Sequence, residues 1–271
     1  MTETSETLRS QLMHLPLDGR STEVAYHAFP SASGTILLLH EALGSVSYWK
    51  DFPQKLARAT GYNIIVYSRA GHGNSEGPLE LRTDEYYLRQ VRVVIPTLLK
   101  HFSVDCPVLY GHSEGAGIAL LYAATSTHVK ALILESPFVI PKRSAALVIE
   151  NMAAVYPGSK LQERLAHYHQ EPDEVFNSWV RWAATLDEEK IFPLRDLLPN
   201  ITCPVLVLQG SNDEFGTTLQ LAALQASLAD VQHETYANTG HLPHREQTDR
   251  LLSRVSQFLT ELQPLTGGCN S

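Results

Sequence analysis

The sequence predicts an α/β protein in which helices cover both faces of a mostly parallel sheet and a helical insertion interrupts the pattern late in the chain. Three observations carry this. Short β-branched or Leu-rich runs alternate with longer stretches of helical periodicity, the signature of strand–helix–strand units. Between residues 137 and 200 the alternation stops and the chain reads as successive helices. A length of 271 residues, 44% apolar and 18% charged, suffices for one well-buried core and lies far from disordered compositions.

Taken in order, HLPLDG and STEVAYHAF form an opening antiparallel pair that turns at Asp18-Gly19. ILLLH is the next strand, and SVSYWKDFPQKLARATG a helix. NIIVYSR is a strand, followed by a long helix from about residue 83 to 101. PVLYGHS is a strand running into the helix GAGIALLYAATS, and KALILESP is a further strand. The insertion carries Phe176, Trp179 and Trp182 at three-residue spacing, one helical face that reads as the insertion's own core. An insertion so placed can cap the C-terminal ends of the strands, where open parallel sheets bind their ligands. This divides the chain into a core, residues 1–136 and 201–271, and a cap, residues 137–200. PVLVLQG, the helix TTLQLAALQASLA, the strand HETYA and a helix over about 246–262 complete the core, and the tail PLTGGCNS is expected to fray.

A net charge of −8 and the lack of any Lys/Arg-rich run disfavour nucleic acid and anionic membranes as partners. The polar start MTETSETLRSQ and the absence of a membrane-length apolar run point to a cytoplasmic protein with no membrane association. Cys106, Cys203 and Cys269 are widely separated and form no CxxC pair, so reduced thiols are expected. No HExxH or Cys/His ligand spacing is present, and neither metal nor cofactor is expected.

The chemistry concentrates at three strand ends. Gly111-His112-Ser113-Glu114-Gly115 is a G-x-S-x-G sequence between a strand and a helix, the context in which a tight turn projects a serine hydroxyl above a sheet. A serine that merely caps the following helix is the alternative. A serine nucleophile needs a base, and the base needs an orienting acid. Asp213 follows the strand PVLVLQG and His241 follows HETYA, so all three residues sit at the same edge of the sheet. His244 is a second candidate base and Glu135 a second candidate acid. His112 is expected beneath the turn, and Glu214 in solvent.

Five stretches, LLLHEALGS, YSRAGHGNS, GHSEG, GSNDEFG and TGH, together resemble the α/β-hydrolase superfamily, in its branch of small capped carboxylesterases and carbon–carbon bond hydrolases. The resemblance spans nearly the whole chain. It implies an eight-stranded, mostly parallel sheet and a cofactor-independent serine hydrolase with catalytic Ser113, Asp213 and His241. It also implies oxyanion N–H donors at Ala42 and Glu114, with His40 bracing the loop and Glu41 at the pocket. Glu41 departs from the glycine usual in that family.

The expected substrate is a small-molecule carboxylic ester or acyl compound, and the expected state a monomer or homodimer. Cleavage of a ring-fission diketone is a rival, although the tryptophan and arginine usual beside that histidine are replaced by Leu242-Pro243-His244. A thioesterase is a second rival, with Lys142, Arg143, Lys160, Arg164 and Arg181 in the cap but acids interspersed. A non-catalytic receptor using the same pocket is a third.

Overall fold

A computed structural model describes residues 7–139, 143–186, 194–216 and 218–262. The tail PLTGGCNS with Cys269, most of the polar start, and Lys142 lie outside the described residues.

Strands β1 (Arg9–Leu17) and β2 (Arg20–Ala28) pair antiparallel across Asp18 and Gly19, whose φ angles of 54° and 73° give the doubly left-handed turn that matches hairpin twist. Pro16 is tolerated because β1 is an edge strand, where a missing N–H need not face a neighbour. The remaining strands are β3 (Thr35–Leu39), β4 (Asn63–Tyr67), β5 (Val108–His112), β6 (Ala131–Glu135), β7 (Val205–Gly210) and β8 (Val231–Tyr236). They form one eight-stranded sheet in the order β1-β2-β4-β3-β5-β6-β7-β8, parallel from β4 onward. After β3 the chain steps to one side to make β4, then crosses back to make β5. The crevice between the C-terminal ends of β3 and β5 is therefore the topological switch point.

The period-2 alternation of the strands sorts side chains onto two cores. Leu37, Leu39, Ile65 and Leu109 face one side, packing with Tyr87, Leu98 and Leu120. Ile36, Leu38, Ile64 and Tyr110 face the other, packing on Leu56 of α1 (Phe52–Thr60) and on Val255 and Phe258 of α11 (Thr248–Glu261). Truncating any of these leucines to alanine would cost about 2–5 kcal/mol. Helix α4 (Glu114–Thr125) is buried almost all round, which explains why its sequence shows no polar stripe.

Two expected helices are divided, each at a proline. The helix expected over SVSYWKDFPQKLARATG is a 3₁₀ turn, Ser47–Trp49, followed by α1 with Pro53 in its first turn. Lys50, at φ 56°, breaks the run between them. The long helix is realised as α2 (Asp84–Arg89), a π-turn (Gln90–Val94) and α3 (Ile95–His101). Pro96 offers no N–H to the preceding turn and crowds its carbonyl, and the wider turn accommodates both effects.

Helices α5 (Arg143–Ala154), α6 (Lys160–Ala166), α7 (Pro172–Ala183) and α8 (Leu194–Leu197) lie between β6 and β7. Ile149, Leu165, Val175, Phe176 and Trp179 form a third apolar cluster that also takes in Ala42, Leu43 and Tyr48 from the loop after β3. The insertion thus packs onto that loop. α9 (Thr218–Ser227) and α10 (Pro243–Glu246) complete the described helices, none of which is long and apolar enough to cross a membrane.

One expectation fails: Cys203 is a free thiol, as expected, but Cys106 is disulfide-bonded. Separation along a chain does not measure separation in space, so spacing alone could not reveal the pair.

Candidate active site

Ser113 sits between β5 and α4 with φ 54° and ψ −113°, a backbone conformation that non-glycine residues rarely adopt and that persists only where the surroundings enforce it. Its N–H donates to the Glu135 carbonyl of the next strand at 2.9 Å. The strain is carried by the serine itself; the glycines serve close approach. A Cβ on Gly115 would lie 2.1 Å from the Leu39 carbonyl oxygen, and one on Gly111 would lie 2.4 Å from the Gly115 carbonyl oxygen. The Ser113 side chain makes no capping hydrogen bond to α4 and lines a cavity, which excludes the helix-cap alternative.

The loops after β7 and β8 are laced together by Asn212 N–H donating to Thr239 O at 2.9 Å and Asn238 N–H donating to Ser211 Oγ at 2.9 Å. This brings Asp213 Oδ1 to 2.8 Å from His241 Nδ1. The same oxygen accepts from the N–H groups of Phe215 (2.9 Å) and Gly216 (3.0 Å), while Oδ2 accepts from Gln209 Nε2 at 2.8 Å. Burial alone would raise the Asp213 pKa, but the His241 bond and charge and the two backbone N–H groups hold it far below the usual carboxylate range. For His241, burial disfavours the charged ring, yet the bond to Asp213 and its negative charge, with Glu41 and Glu214 adding to it, raise its pKa above the ordinary value.

The rival residues are committed elsewhere. His244 donates from its ring Nδ1 (2.8 Å) and its backbone N–H (2.7 Å) to Glu135 Oε1, and Tyr110 OH donates to Glu135 Oε2 at 2.8 Å. Burial would raise Glu135, but His244 and His112 bring it down to about 2. His112 lies under the turn, where burial pushes its pKa down to about 4, and its Nε2 donates to the His241 carbonyl at 2.9 Å. Potential ligand atoms of His112, Glu135 and His244 fall within 4.8 Å of one another, the nearest approach to a metal set among the described residues. Their hydrogen bonds occupy both Glu135 oxygens, while His244 Nε2 has no partner among the described residues. Glu214 is exposed and borders the cavity.

After β3, Glu41–Gly44 forms a turn closed by Gly44 N–H donating to Glu41 O at 3.1 Å, with Ala42 and Leu43 in its centre. His40 Nδ1 donates to Glu41 O at 2.7 Å, and His40 Nε2 accepts the Arg69 N–H at 3.0 Å, which defines a neutral bracing ring. The Glu41 carboxylate accepts the Leu43 N–H at 3.0 Å and borders the cavity. The side chain of Glu114 is buried between two guanidiniums, Arg69 Nη2 and Arg82 Nε, each at 2.7 Å. Burial would raise its pKa, but Arg82 and Arg69 outweigh that and hold it below the ordinary value. Sequence reading missed this ion triad. YSRAGHGNS pointed at Arg69 without assigning it a role, and nothing local marks Arg82.

The cavity, of about 200 Å³, brings Ser113, His241, Ala42 and Glu114 together with Phe138, Ile149, Met152, Trp179 and Trp182. The expected aromatic core of the insertion is divided between two tasks. Phe176 stacks on Tyr156 with centroids 3.7 Å apart, Trp179 belongs to both the cluster and the cavity wall, and Trp182 lines the cavity against Phe138. A three-residue spacing advances about 300° around a helix, so Phe176 and Trp182 end roughly 120° apart on different faces.

An eight-stranded sheet with a strained serine turn at one strand end and an acid–histidine pair at two others defines a class. Residues 36–254 match the alpha/beta hydrolase family, and the chain belongs to it. Among curated proteins it is 28% identical to the monoglyceride lipase of Homo sapiens, covering 79% of each chain. It is 22% identical to the proline iminopeptidase of Lactobacillus acidophilus, covering 90% of this chain and 96% of that protein. Among solved structures, the enol-lactonase from Burkholderia xenovorans LB400 superposes with a TM-score of 0.71 at 20% identity, covering 91% of this chain and 99% of the other.

Proposed function

We propose that this hydrolase is a serine esterase acting on a small carboxylic ester whose acyl or alcohol part lies beneath the insertion. Ser113 Oγ attacks the carbonyl carbon while His241 Nε2 takes its proton; Asp213 holds the ring in that tautomer and stabilises its charged form. The N–H groups of Ala42 and Glu114 receive the oxyanion, the proton passes to the leaving alcohol, and water cleaves the acyl-enzyme by the same steps. The observation that carries this reading is the 2.8 Å Asp213–His241 bond, with the histidine and Ser113 on the wall of one mostly apolar cavity. A lipase and a lactonase among the similar proteins are named for ester substrates. The test combines a fluorophosphonate probe with turnover of p-nitrophenyl esters, thioesters and one ring-fission diketone by a single preparation. Ester turnover with labelling at Ser113 is expected; diketone cleavage without ester turnover would replace the reading, and absence of both labelling and turnover would favour a receptor.

Because only neutral His241 accepts the proton, kcat/KM should rise with pH through one apparent pKa above roughly 6.5, the activity being lost as pH falls through it. A rate that instead falls with rising pH between about 5 and 8 would remove His241 as the base.

Neither Ala42 nor Leu43 has a positive φ, so the turn is compatible with the class that favours proline at its second position. Ala42→Pro should therefore keep the turn yet delete the donor, lowering kcat by about 10²–10³. Glu41→Gln, which keeps the side-chain acceptor for Leu43, should cost less than about tenfold. A Glu41→Gln loss equal to that of Ser113→Ala, with folding unchanged, would place the carboxylate in the chemistry.

A further inference from the structure

We propose that Arg69, held in place by Glu114, aims and polarises the Glu41–Ala42 peptide so that its N–H serves the oxyanion. This rests on the esterase reading above and assigns positioning roles to two side chains.

A peptide unit is planar and trans, so the Glu41 carbonyl and the Ala42 N–H point in opposite directions, and whatever fixes one fixes the other. The Glu41 oxygen receives three donors: His40 Nδ1 at 2.7 Å, Arg69 Nη2 at 3.0 Å and Gly44 N–H at 3.1 Å. One of them carries a full positive charge. A charged donor on a carbonyl draws electron density through the amide and strengthens the N–H at its other end, an effect enlarged in a low-dielectric interior. The side chain of Arg69 is 1% exposed, so water screens little of it.

Arg69 is itself fixed on three acceptors. Nη1 donates to the His40 carbonyl at 2.6 Å, while Nη2 donates to the Glu41 carbonyl and to Glu114 Oε2 at 2.7 Å. The other carboxylate oxygen of Glu114 accepts from Arg82 Nε at 2.7 Å and from Tyr87 OH at 3.0 Å. Arg82 Nη2 then donates to the Ala42 carbonyl at 3.0 Å, and its Nη1 to Ser178 Oγ on α7 at 2.6 Å. Both carbonyls that flank the Ala42 N–H are thus gripped by guanidiniums. The two guanidiniums share the carboxylate of the very residue whose own N–H is the second proposed donor.

Any donor would satisfy these two buried carbonyls, but guanidiniums in fixed geometry also set a positive charge on each of them. Two arginines and one glutamate also leave one net positive charge behind the peptide, the sign that favours an oxyanion.

The test uses the full-length protein as Arg69→Lys and Glu114→Gln. Lysine keeps the charge but cannot bridge three acceptors in fixed geometry; glutamine keeps the shape but can accept from only one of the two guanidiniums and carries no charge to hold either. Each is assayed for kcat and KM on p-nitrophenyl acetate, for inhibition by a trifluoromethyl ketone, which forms a tetrahedral oxyanion on the nucleophile, and for thermal midpoint. Arg69→Lys should lower kcat about 10- to 100-fold with KM within about threefold, and raise the inhibitor constant in step with the loss of kcat/KM, because both quantities report oxyanion binding. Glu114→Gln should follow the same line with a smaller displacement, a loss of kcat of about 5- to 30-fold.

A folded Arg69→Lys with kcat within threefold of wild type would overturn the proposal, as would a loss expressed in KM alone with inhibitor binding unchanged. If Arg69→Lys does not fold, Glu114→Gln decides by the same criteria. Absence of ester turnover in the wild type would count against the esterase reading alone. In that event the rate of Ser113 labelling by a fluorophosphonate, compared between wild type and variants, still decides this proposal: a rate within threefold of wild type overturns it.

Discussion

Ser113→Ala is expected to lower kcat on p-nitrophenyl esters by on the order of 10⁶, to the background of the buffer. The immediate neighbours of the position, His112 and Glu114, carry no hydroxyl, and the Ser113 side chain makes no capping bond whose loss the fold would register. Alanine also retains the Cβ, so the strain at φ 54° is the same before and after. The thermal midpoint should accordingly stay within roughly 2 °C of wild type. A purified Ser113→Ala protein that retains a tenth of the wild-type rate would remove Ser113 as the nucleophile.

Asp213→Ala should cost on the order of 10⁴ in kcat, since it removes both the acceptor that sets the His241 tautomer and the charge that stabilises the protonated ring. The structure makes Asp213→Asn a separate case. Phe215 and Gly216 N–H groups both point at Oδ1, the oxygen on His241, so an asparagine is steered to keep its carbonyl there. Its NH₂ group then takes the Oδ2 position, where Gln209 Nε2 is now the donor; an amide rotation of Gln209 would offer Oε1 instead, at the loss of the Nε2 bond to the Gly210 carbonyl at 3.3 Å. Asparagine held this way preserves the tautomer and loses only the charge, so its kcat should exceed that of Asp213→Ala. Equal losses would mean that the asparagine amide has turned its NH₂ toward His241. Wild-type kcat in Asp213→Ala would take the residue out of the mechanism altogether.

The candidate site was legible from sequence where its determinants are local. A strand that ends in G-x-S-x-G carries its own instructions: Gly115 lets the helix approach β3, Gly111 lets the turn fold onto itself, and the serine follows. Asp213 and His241 were readable because each falls just past a short apolar run in a strand–helix alternation. His112 beneath the turn and Glu214 in solvent follow from the same local periodicity. The divided helices belong here too, since Pro53 and Pro96 are visible in the chain.

Other features depend on which strands become neighbours. Arg82 meets Ala42 and Glu114 only because the chain crosses back between β4 and β5 and sets the loop after β3 beside the serine turn. Glu114 read as a backbone donor, and its buried carboxylate between two arginines had no local signature. Trp182 could not be separated from Phe176 by spacing, because membership of a wall or a core depends on what packs against each face. Cys106 offered no sign of its disulfide.

The order of strands and helices, and the positions of Ser113, Asp213 and His241 at strand ends, are readable along the chain. Those follow from patterns that repeat within one or two turns of chain, where backbone geometry leaves few choices. Tertiary structure alone decided that Glu135 belongs to His244, that Asp213 belongs to His241, and that two distant arginines grip the carbonyls around Ala42. A charged side chain of this kind is indifferent to its neighbours in sequence. Its partner is whichever opposite charge or carbonyl the crossover connections bring within about 3 Å, in an interior where leaving it unpaired costs several kcal/mol.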